Sequence, residues 1–493
     1  MKVLFYLASH FNADMIGPQL ERIQYHLDLG HSVTILACHK ELESCNVNHY
    51  GSSLTCAICK SNLNAGLSSL KGDFKLLSFN AVLPKESTNL HHELINIDSL
   101  DIFKEITYES FDIGMACTSS LNSILRDPKP NLLSHRPLVM AIWNSAIWTY
   151  QLMVKAITEN SYDAVYVFNG RVATLRSCLR ACQNKGVDCY ILEAGYRPHV
   201  YAVYKNALPH NIQYVEGIIE DIWENYGENR VKDAEYYFHV RSKGKDLLNE
   251  KYSTHQVEGI LPANWDAGKR NVSIFVSSED EFVSIGNEWA NPLFGSQIEG
   301  IKTILDEFRG DNSFHFYIRI HPNLYGVYNE STILMHQLDS ENATVILARD
   351  RVNTYSLIQA SEKTITFGSS VGIEATALNK PSILVAKCFY SNLGSTYNPG
   401  TVEELFSLIR RNNLEALDRT GALKYGLFLA SFGVKYDHYS IENHFKGKMN
   451  GKIVRPMILF YWLRLIGRNI RLRKLKKQHA VNQEKLDKLK FGA

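Results

Sequence analysis

Two stretches inside residues 314–387 decide how this chain is read: Arg319-Ile320-His321-Pro322 and Gly368-Ser369-Ser370-Val371-Gly372-Ile373-Glu374. Residues 315–320 alternate as a strand, 344–347 form a second apolar run, and 363–367 and 382–386 a third and fourth. Helical patterns at 353–360 and 371–378 separate them. Alternating strands and helices predict a parallel sheet covered on both faces, whose ligands bind beyond the carboxyl ends of the strands. Both quoted stretches fall at such ends.

That placement gives the residues a chemistry. Gly368-Ser369-Ser370 ends a strand and opens a helix, so backbone N–H groups and two hydroxyls converge where a phosphate or diphosphate fits. Arg319 and His321 can add charge-assisted hydrogen bonds to the same anion. Glu374, one turn further, would repel phosphate but can accept from ribose hydroxyls. The same residues also suit plainer roles, Ser369 as a helix cap and His321 as a core histidine.

With 493 residues the chain is long enough for two or three domains. Its net charge of +2 hides an asymmetry: residues 446–493 hold fourteen Lys and Arg against two acidic residues, leaving the rest at −10. An acidic body with a basic tail points to an anionic surface as the tail's partner. The apolar aromatic stretch at 456–463 is too short to span a bilayer and runs into seven basic residues between Arg464 and Lys477, which suits a segment lying in a membrane interface. A helix packed back on the body is the alternative. Residues 1–9 read as a first strand and not as a signal peptide, and the nine cysteines are expected as reduced thiols in a cytoplasm.

Residues 2–7, 15–29 and 32–37 form a first strand, helix and strand, without the G-x-G-x-x-G of a dinucleotide site. Cys38, Cys45, Cys56 and Cys59 follow. Their spacing matches no well-marked zinc pattern, so buried thiols are expected ahead of a metal. Residues 62–125 give no clear reading; 143–158 read as an amphipathic helix. Strands at 164–168 and 188–192 end in Asn169-Gly170-Arg171 and Glu193-Ala194-Gly195-Tyr196-Arg197, with a helix at 172–185 between them. Residues 210–259 are polar and helical, and 261–270 resemble a linker. A second series opens with a strand at 272–276 leading into Ser277-Ser278-Glu279-Asp280-Glu281, then a helix at 297–308.

Taken together, these strand-end motifs resemble the bacterial capsule polysaccharide biosynthesis proteins, over roughly residues 162–386. The His-Pro and Ser-Ser pairs also resemble those of transferases that use CMP-activated sialic acid or Kdo. The resemblance implies an α/β chain of the GT-B type, with two Rossmann-like doubly wound domains facing across a cleft and a basic C-terminal helical tail. The expected divisions are 1–265 on the acceptor side, 266–440 for the nucleotide sugar, and 441–493 for the membrane-associating tail. Carried over, it implicates His321, Ser369 and Ser370 in holding the nucleotide phosphate, with Arg319, Glu374, Ser277 and Ser278 expected beside them.

Glycosyl transfer also needs a carboxylate or histidine near the anomeric carbon, as base or nucleophile. Glu193 is the first candidate, with Gly195 expected to leave room for a sugar, and Asp280 the second. Asn169, Arg171 and Arg197 are expected to orient the acceptor or a donor carboxylate, for which arginine's fork is suited. The resemblance implies neither a cofactor nor a metal at the chemistry. The expected partners are a nucleotide-sugar donor, a polysaccharide or glycolipid acceptor and an anionic membrane on its cytoplasmic face, with no nucleic acid. A nucleotide-sugar epimerase of the same fold and a non-catalytic sugar-nucleotide-binding protein are the competing readings.

Overall fold

The computed structural model describes residues 1–87, 97–243, 254–456 and Trp462. Two largely parallel sheets organise them. The first is built from β1 (Lys2–Leu7), β2 (Ser32–Ala37), β3 (Lys75–Ser78), β4 (Ala164–Phe168), β5 (Asp188–Ala194) and β6 (Val200–Lys205), in the spatial order β6-β5-β4-β1-β2-β3. The second contains β7 (Arg270–Phe275), β8 (Phe314–Arg319), β9 (Ala343–Ile346), β10 (Lys363–Thr366) and β11 (Ser382–Leu384), in the order β11-β10-β7-β8-β9. This is the expected α/β architecture of two doubly wound halves. β4 and β8 are buried at every position, as strands covered on both faces should be.

Each sheet has one place where successive connections leave in opposite directions. β1 pairs in parallel with both β2 and β4, and β7 with both β8 and β10. A crevice opens at the carboxyl ends of such strand pairs. The loops after β4, β7 and β10 carry Asn169–Arg171, 277–281 and 368–370, so the switch points and the motif loops coincide.

Three features depart from the sequence reading. β5 runs on through Glu193 and Ala194 because the hairpin strand β6 pairs with it antiparallel, Glu193 opposite Ala202 and Ala194 opposite Tyr201. Gly195 therefore makes no room for a sugar: a Cβ there would lie 2.4 Å from the Val200 carbonyl oxygen, so the glycine serves the close approach of the hairpin. The stretch with no clear reading holds the end of the helix Ser53–Leu67, then β3 and the helices Leu100–Lys104 and Ile113–Leu125.

The third departure lies beyond residue 420, where the chain returns to the first half. The helix Thr420–Ser431 packs on the helices Ile212–Asn225 and Arg230–Ser242. β12 (Val434–Lys435) then pairs with β6, and β13 (Tyr439–Asn443), β14 (Lys446–Met449) and β15 (Lys452–Val454) form a meander against the helix Ala13–Asp28. Buried Glu21 of that helix fixes the return, its carboxylate accepting the N–H groups of Asp437 (2.9 Å), His438 (3.0 Å) and Tyr439 (2.8 Å). Residues 420–440, expected in the second domain, thus rest on the first. The expected helical tail begins with three strands, and its remainder apart from Trp462 lies outside the described residues. No helix among the described residues is long and apolar enough to cross a membrane.

The core of the first half is centred on the helix Arg136–Asn160, whose Trp143 and Trp148 are fully buried. Each such side chain stabilises the fold by about 1.5–3 kcal/mol through burial. The same cluster takes in Ile373, Tyr390, Tyr425 and Phe428, so apolar packing is continuous from one half to the other beneath the cleft.

Candidate functional site

The loops at the carboxyl ends of the two sheets enclose a cavity of about 500 Å³, lined from the first half by Ser123, Arg126, Arg171 and His210 and from the second by Asp280, Glu281, Trp289, Gly368 and Ser370. That volume suits a small-molecule ligand. Gly368 has φ +84°, a conformation that favours glycine, and it lets the chain turn from β10 into the Ser369-Ser370 loop.

A smaller pocket adjoins the cavity, with Ser370 lining both; Arg319, His321, Ser369, Glu374, Tyr355 and Arg241 also line it. Arg319 ends β8 and is 2% exposed. Its Nη2 donates to the Asp350 carbonyl at 3.2 Å, while Nε and Nη1 have no partner. Burial pushes this guanidinium down to about 10, so it keeps its charge at neutral pH. His321 accepts the Asn323 N–H on Nδ1 at 3.2 Å, which leaves Nε2 as the protonated, donating nitrogen of a neutral ring. Burial, with Arg126 and Arg319 nearby, lowers its pKa to about 4.

Both oxygens of Glu374 are engaged. Oε1 accepts from Arg241 (3.0 Å) and from the Ser370 hydroxyl (3.2 Å), and Oε2 from the Tyr355 hydroxyl (2.7 Å). Burial opposes the Arg241 charge, but Glu374 and Tyr355 outweigh it and raise its pKa. The Ser369 Oγ accepts the Val371 N–H at 3.4 Å, and the Tyr390 hydroxyl donates to the Ser369 carbonyl. Ser277 is spent on structure: its hydroxyl donates to the Phe367 carbonyl at 2.5 Å and its N–H to Gln297 Oε1, tying the end of β7 to that of β10. Ser278 Oγ is buried without a partner. Neither serine lines the cavity or the adjoining pocket.

The two expected carboxylates are placed differently. Asp280 lines the cavity, 2.6 Å from Arg126 Nε; burial raises its pKa, and Arg126 opposes the rise. Glu193 does not line it. Glu193 accepts from Asn169 Nδ2 (2.7 Å) and from the Ala194 N–H (2.9 Å), and burial raises its pKa against those bonds and against Arg171. Asn169, at φ +62°, also accepts the Arg171 N–H on Oδ1. Arg171 reaches across the cleft to the Glu281 carbonyl and donates to Ser123 Oγ at 2.9 Å; its buried Nε has no partner. Arg197 turns away and donates to the Ser431 carbonyl at 3.0 Å.

Four side chains here carried no motif in the sequence: Arg126, His210, Arg241 and Tyr355. Arg126 is the left-handed cap of the helix Ile113–Leu125. His210 lines the cavity with a pKa lowered to about 3 by burial and by Arg171 and Arg176.

Cys38, Cys45, Cys56 and Cys59 lie near enough to act on one another electrostatically, but no three of their sulfurs come close enough to share an ion. Among the described residues, the one group of His, Cys, Asp or Glu close enough to share an ion is Cys178, Cys182 and Cys189. These are fully buried in the first core, with all three thiols held well above their ordinary range.

Residues 197–439 match the model of the family described as capsule polysaccharide biosynthesis protein. The similarity takes in just under half of the chain. That region begins at the β5–β6 hairpin, contains the whole second sheet with the Arg319, His321 and Ser369 loops, and ends where Glu21 clamps the returning chain. Comparison with curated proteins gives no match. Among solved structures, a KpsC β-Kdo 2,4-transferase of Thermosulfurimonas dismutans is similar at 16% identity and TM-score 0.36, over 55% of this chain and 79% of that one. The β-Kdo 2,7-transferase of KpsC from the same organism gives 16% and 0.34, over 57% and 79%. The UDP-GlcNAc 2-epimerase of Methanocaldococcus jannaschii gives 11% and 0.27, over 86% and 98%.

Proposed function

We propose that this chain is a capsule-type GT-B glycosyltransferase that moves an acidic sugar, of the Kdo type, from a CMP-activated donor to a surface polysaccharide or glycolipid. One observation carries the reading. Arg319, buried, and Arg171, partly buried, line the two pockets that share Ser370; Arg319 Nε and Nη1 and Arg171 Nε have no hydrogen-bond partner, and among the described residues neither guanidinium has a carboxylate within ion-pairing distance. Burial lowers both guanidinium groups despite the acids near them, and a cation that burial penalises and no direct ion pair compensates favours an anion as ligand. Arg319, with His321 Nε2 and the Ser369-Ser370 loop, takes the nucleotide phosphate. Arg171 takes the sugar carboxylate across the cavity.

In the transfer, an acceptor hydroxyl oxygen bonds to the anomeric carbon as the bond from that carbon to the phosphate oxygen breaks. The hydroxyl proton passes to the Asp280 carboxylate, and the nucleotide leaves with the bond's electron pair. Arg319 and His321 stabilise the charge that develops on the leaving phosphate, which makes a metal at this step unnecessary. Glu193 acts from behind, fixing Asn169 and through it Arg171.

The first test is thermal unfolding with CMP, CDP, UDP, GDP and dTDP in turn. A ligand at ~100 times its Kd adds about 2.7 kcal/mol of stability. A shift with CMP alone supports the donor class, a shift with UDP or GDP instead replaces it, and no shift with any nucleotide removes the enzyme reading. Turnover of a CMP-sugar that persists in EDTA is expected.

A further inference from the structure

Ser123 lines the main cavity and also a second pocket of about 90 Å³ that lies wholly within the first half. This pocket contains the segment of cysteine-bearing loop from Ser44 to His49 that the donor site leaves unused. Its apolar wall is Ile124, Ile142 and Val172, and the first turn of the helix Ala173–Lys185 closes one side. No acid, lysine or arginine lines it.

Two of its polar groups are not satisfied by the protein. Ser44 is 1% exposed and its Oγ has no hydrogen-bond partner, although its N–H is held by Ser145 Oγ at 3.1 Å. The buried Asn46 Oδ1 is also without one. Buried polar groups in folded proteins nearly always find partners, so an unpaired hydroxyl and an unpaired amide oxygen in one pocket point to a ligand or to ordered water. A single water needs only ~10–15 Å³, so this space takes a group of several heavy atoms. The group must be uncharged, offer a donor and an acceptor, and present an apolar face to Ile124, Ile142 and Val172.

An acetamido group has that composition: an N–H, a carbonyl oxygen and a methyl. We infer that this pocket receives the acetamido substituent of an uncharged acceptor sugar, hydrogen-bonded by the Ser44 hydroxyl and the Asn46 side chain. The inference rests on the glycosyltransferase reading for the word acceptor; the pocket chemistry stands without it. Ser123, which accepts from Arg171, joins the pocket to the cavity, so a sugar anchored by its acetamido group would extend towards Asp280.

The test uses saturation-transfer NMR on the full chain, with and without saturating CMP, and with N-acetylglucosamine and glucose as the probes. The strongest transfer is expected at the acetamido methyl protons, with glucose binding roughly five- to tenfold more weakly. Ser44→Ala should weaken N-acetylglucosamine by several-fold and leave the Kd for CMP unchanged; Ile142→Phe, which fills the pocket, should abolish the methyl transfer. Equal responses from the two sugars, no transfer from either, or unchanged binding in a folded Ser44→Ala variant would overturn the inference. CMP titrated into the same samples separates the two ideas. Loss of sugar discrimination with intact CMP binding removes only the acetamido pocket, whereas methyl transfer without nucleotide binding removes the donor site and keeps the pocket.

Discussion

Arg126 Nε lies 2.6 Å from the Asp280 carboxylate, and the two residues come from opposite halves of the molecule. The contact does two things at once. It holds the loop after β7 against the end of the helix Ile113–Leu125, and it sets how readily the carboxyl that faces the cavity gives up its proton. Burial raises that carboxyl and Arg126 draws it back down.

A pH profile follows directly. A base acts only when deprotonated, so kcat/KM should fall as pH drops through a value above the ordinary carboxylate range. Arg126→Gln removes the opposing cation and should move that acid limb upwards by on the order of one pH unit. Steady-state rates between pH 4 and 8 measure it. A limb that stays in place would assign the base to another group. Asp280→Asn should reduce kcat by about 10²-fold or more while nucleotide binding persists.

Arg319 should resist conservative replacement. Lysine keeps the charge but loses the planar fork and its unpartnered Nε and Nη1 donors. Arg319→Lys is expected to weaken binding of the responsive nucleotide by about 10- to 100-fold, the equivalent of ~1.5–3 kcal/mol. Titration calorimetry reads the change, and an unaltered Kd would move the phosphate away from β8.

The buried Arg241–Glu374 pair should matter more for stability than for recognition. Removing one partner leaves the other charge uncompensated, which costs about 3–5 kcal/mol. Glu374→Ala should therefore lower the urea midpoint sharply, and adding Arg241→Met should recover part of the loss. If the single variant is as stable as the parent, the pair is not the structural tie that its geometry indicates.

Buried histidines give stability a pH dependence of definite sign. Burial lowers His10 and His210 to about 3 and His321 to about 4, all below the ordinary histidine value. Between those values and roughly pH 6.5 the unfolded chain binds protons that the folded chain does not, so stability is lost as pH falls through this window. The raised carboxyls of Glu193 and Asp280 act in the opposite sense, near and just above their own ordinary range. Urea unfolding at pH 7.5 and 5 should show the loss, and His321→Asn should flatten its slope.

The basic tail is tested by liposome flotation on anionic vesicles. A chain ending at Pro456 keeps β13–β15, whereas one ending near Tyr439 would cut into the meander packed on the helix Ala13–Asp28. The chain ending at Pro456 should lose the vesicle binding of the full chain and keep its melting temperature. Equal flotation of the full chain and the chain ending at Pro456 would exclude the tail as the membrane contact.

Much of this fold was written locally. Runs such as Ala164–Phe168 and Ser32–Ala37 appear as strands in the structure at the bounds that their β-branched and aromatic residues predict, because strand-forming side chains and turn residues act over a few positions. The rule that parallel sheets bind ligands beyond their strands' carboxyl ends then placed Arg319, His321, Ser369 and Asp280 near one another without any knowledge of the packing. The tertiary structure decided the rest. Arg126, His210, Arg241 and Tyr355 reach the two pockets from segments whose own spacing says nothing of a site. Gly195 and Glu193 changed meaning because β6 folds back on β5, and residues 420–454 rejoined the first half through β12 and the Glu21 carboxylate. Those outcomes depend on which distant segment satisfies a strand's hydrogen bonds and covers its apolar face, and no local pattern encodes that choice.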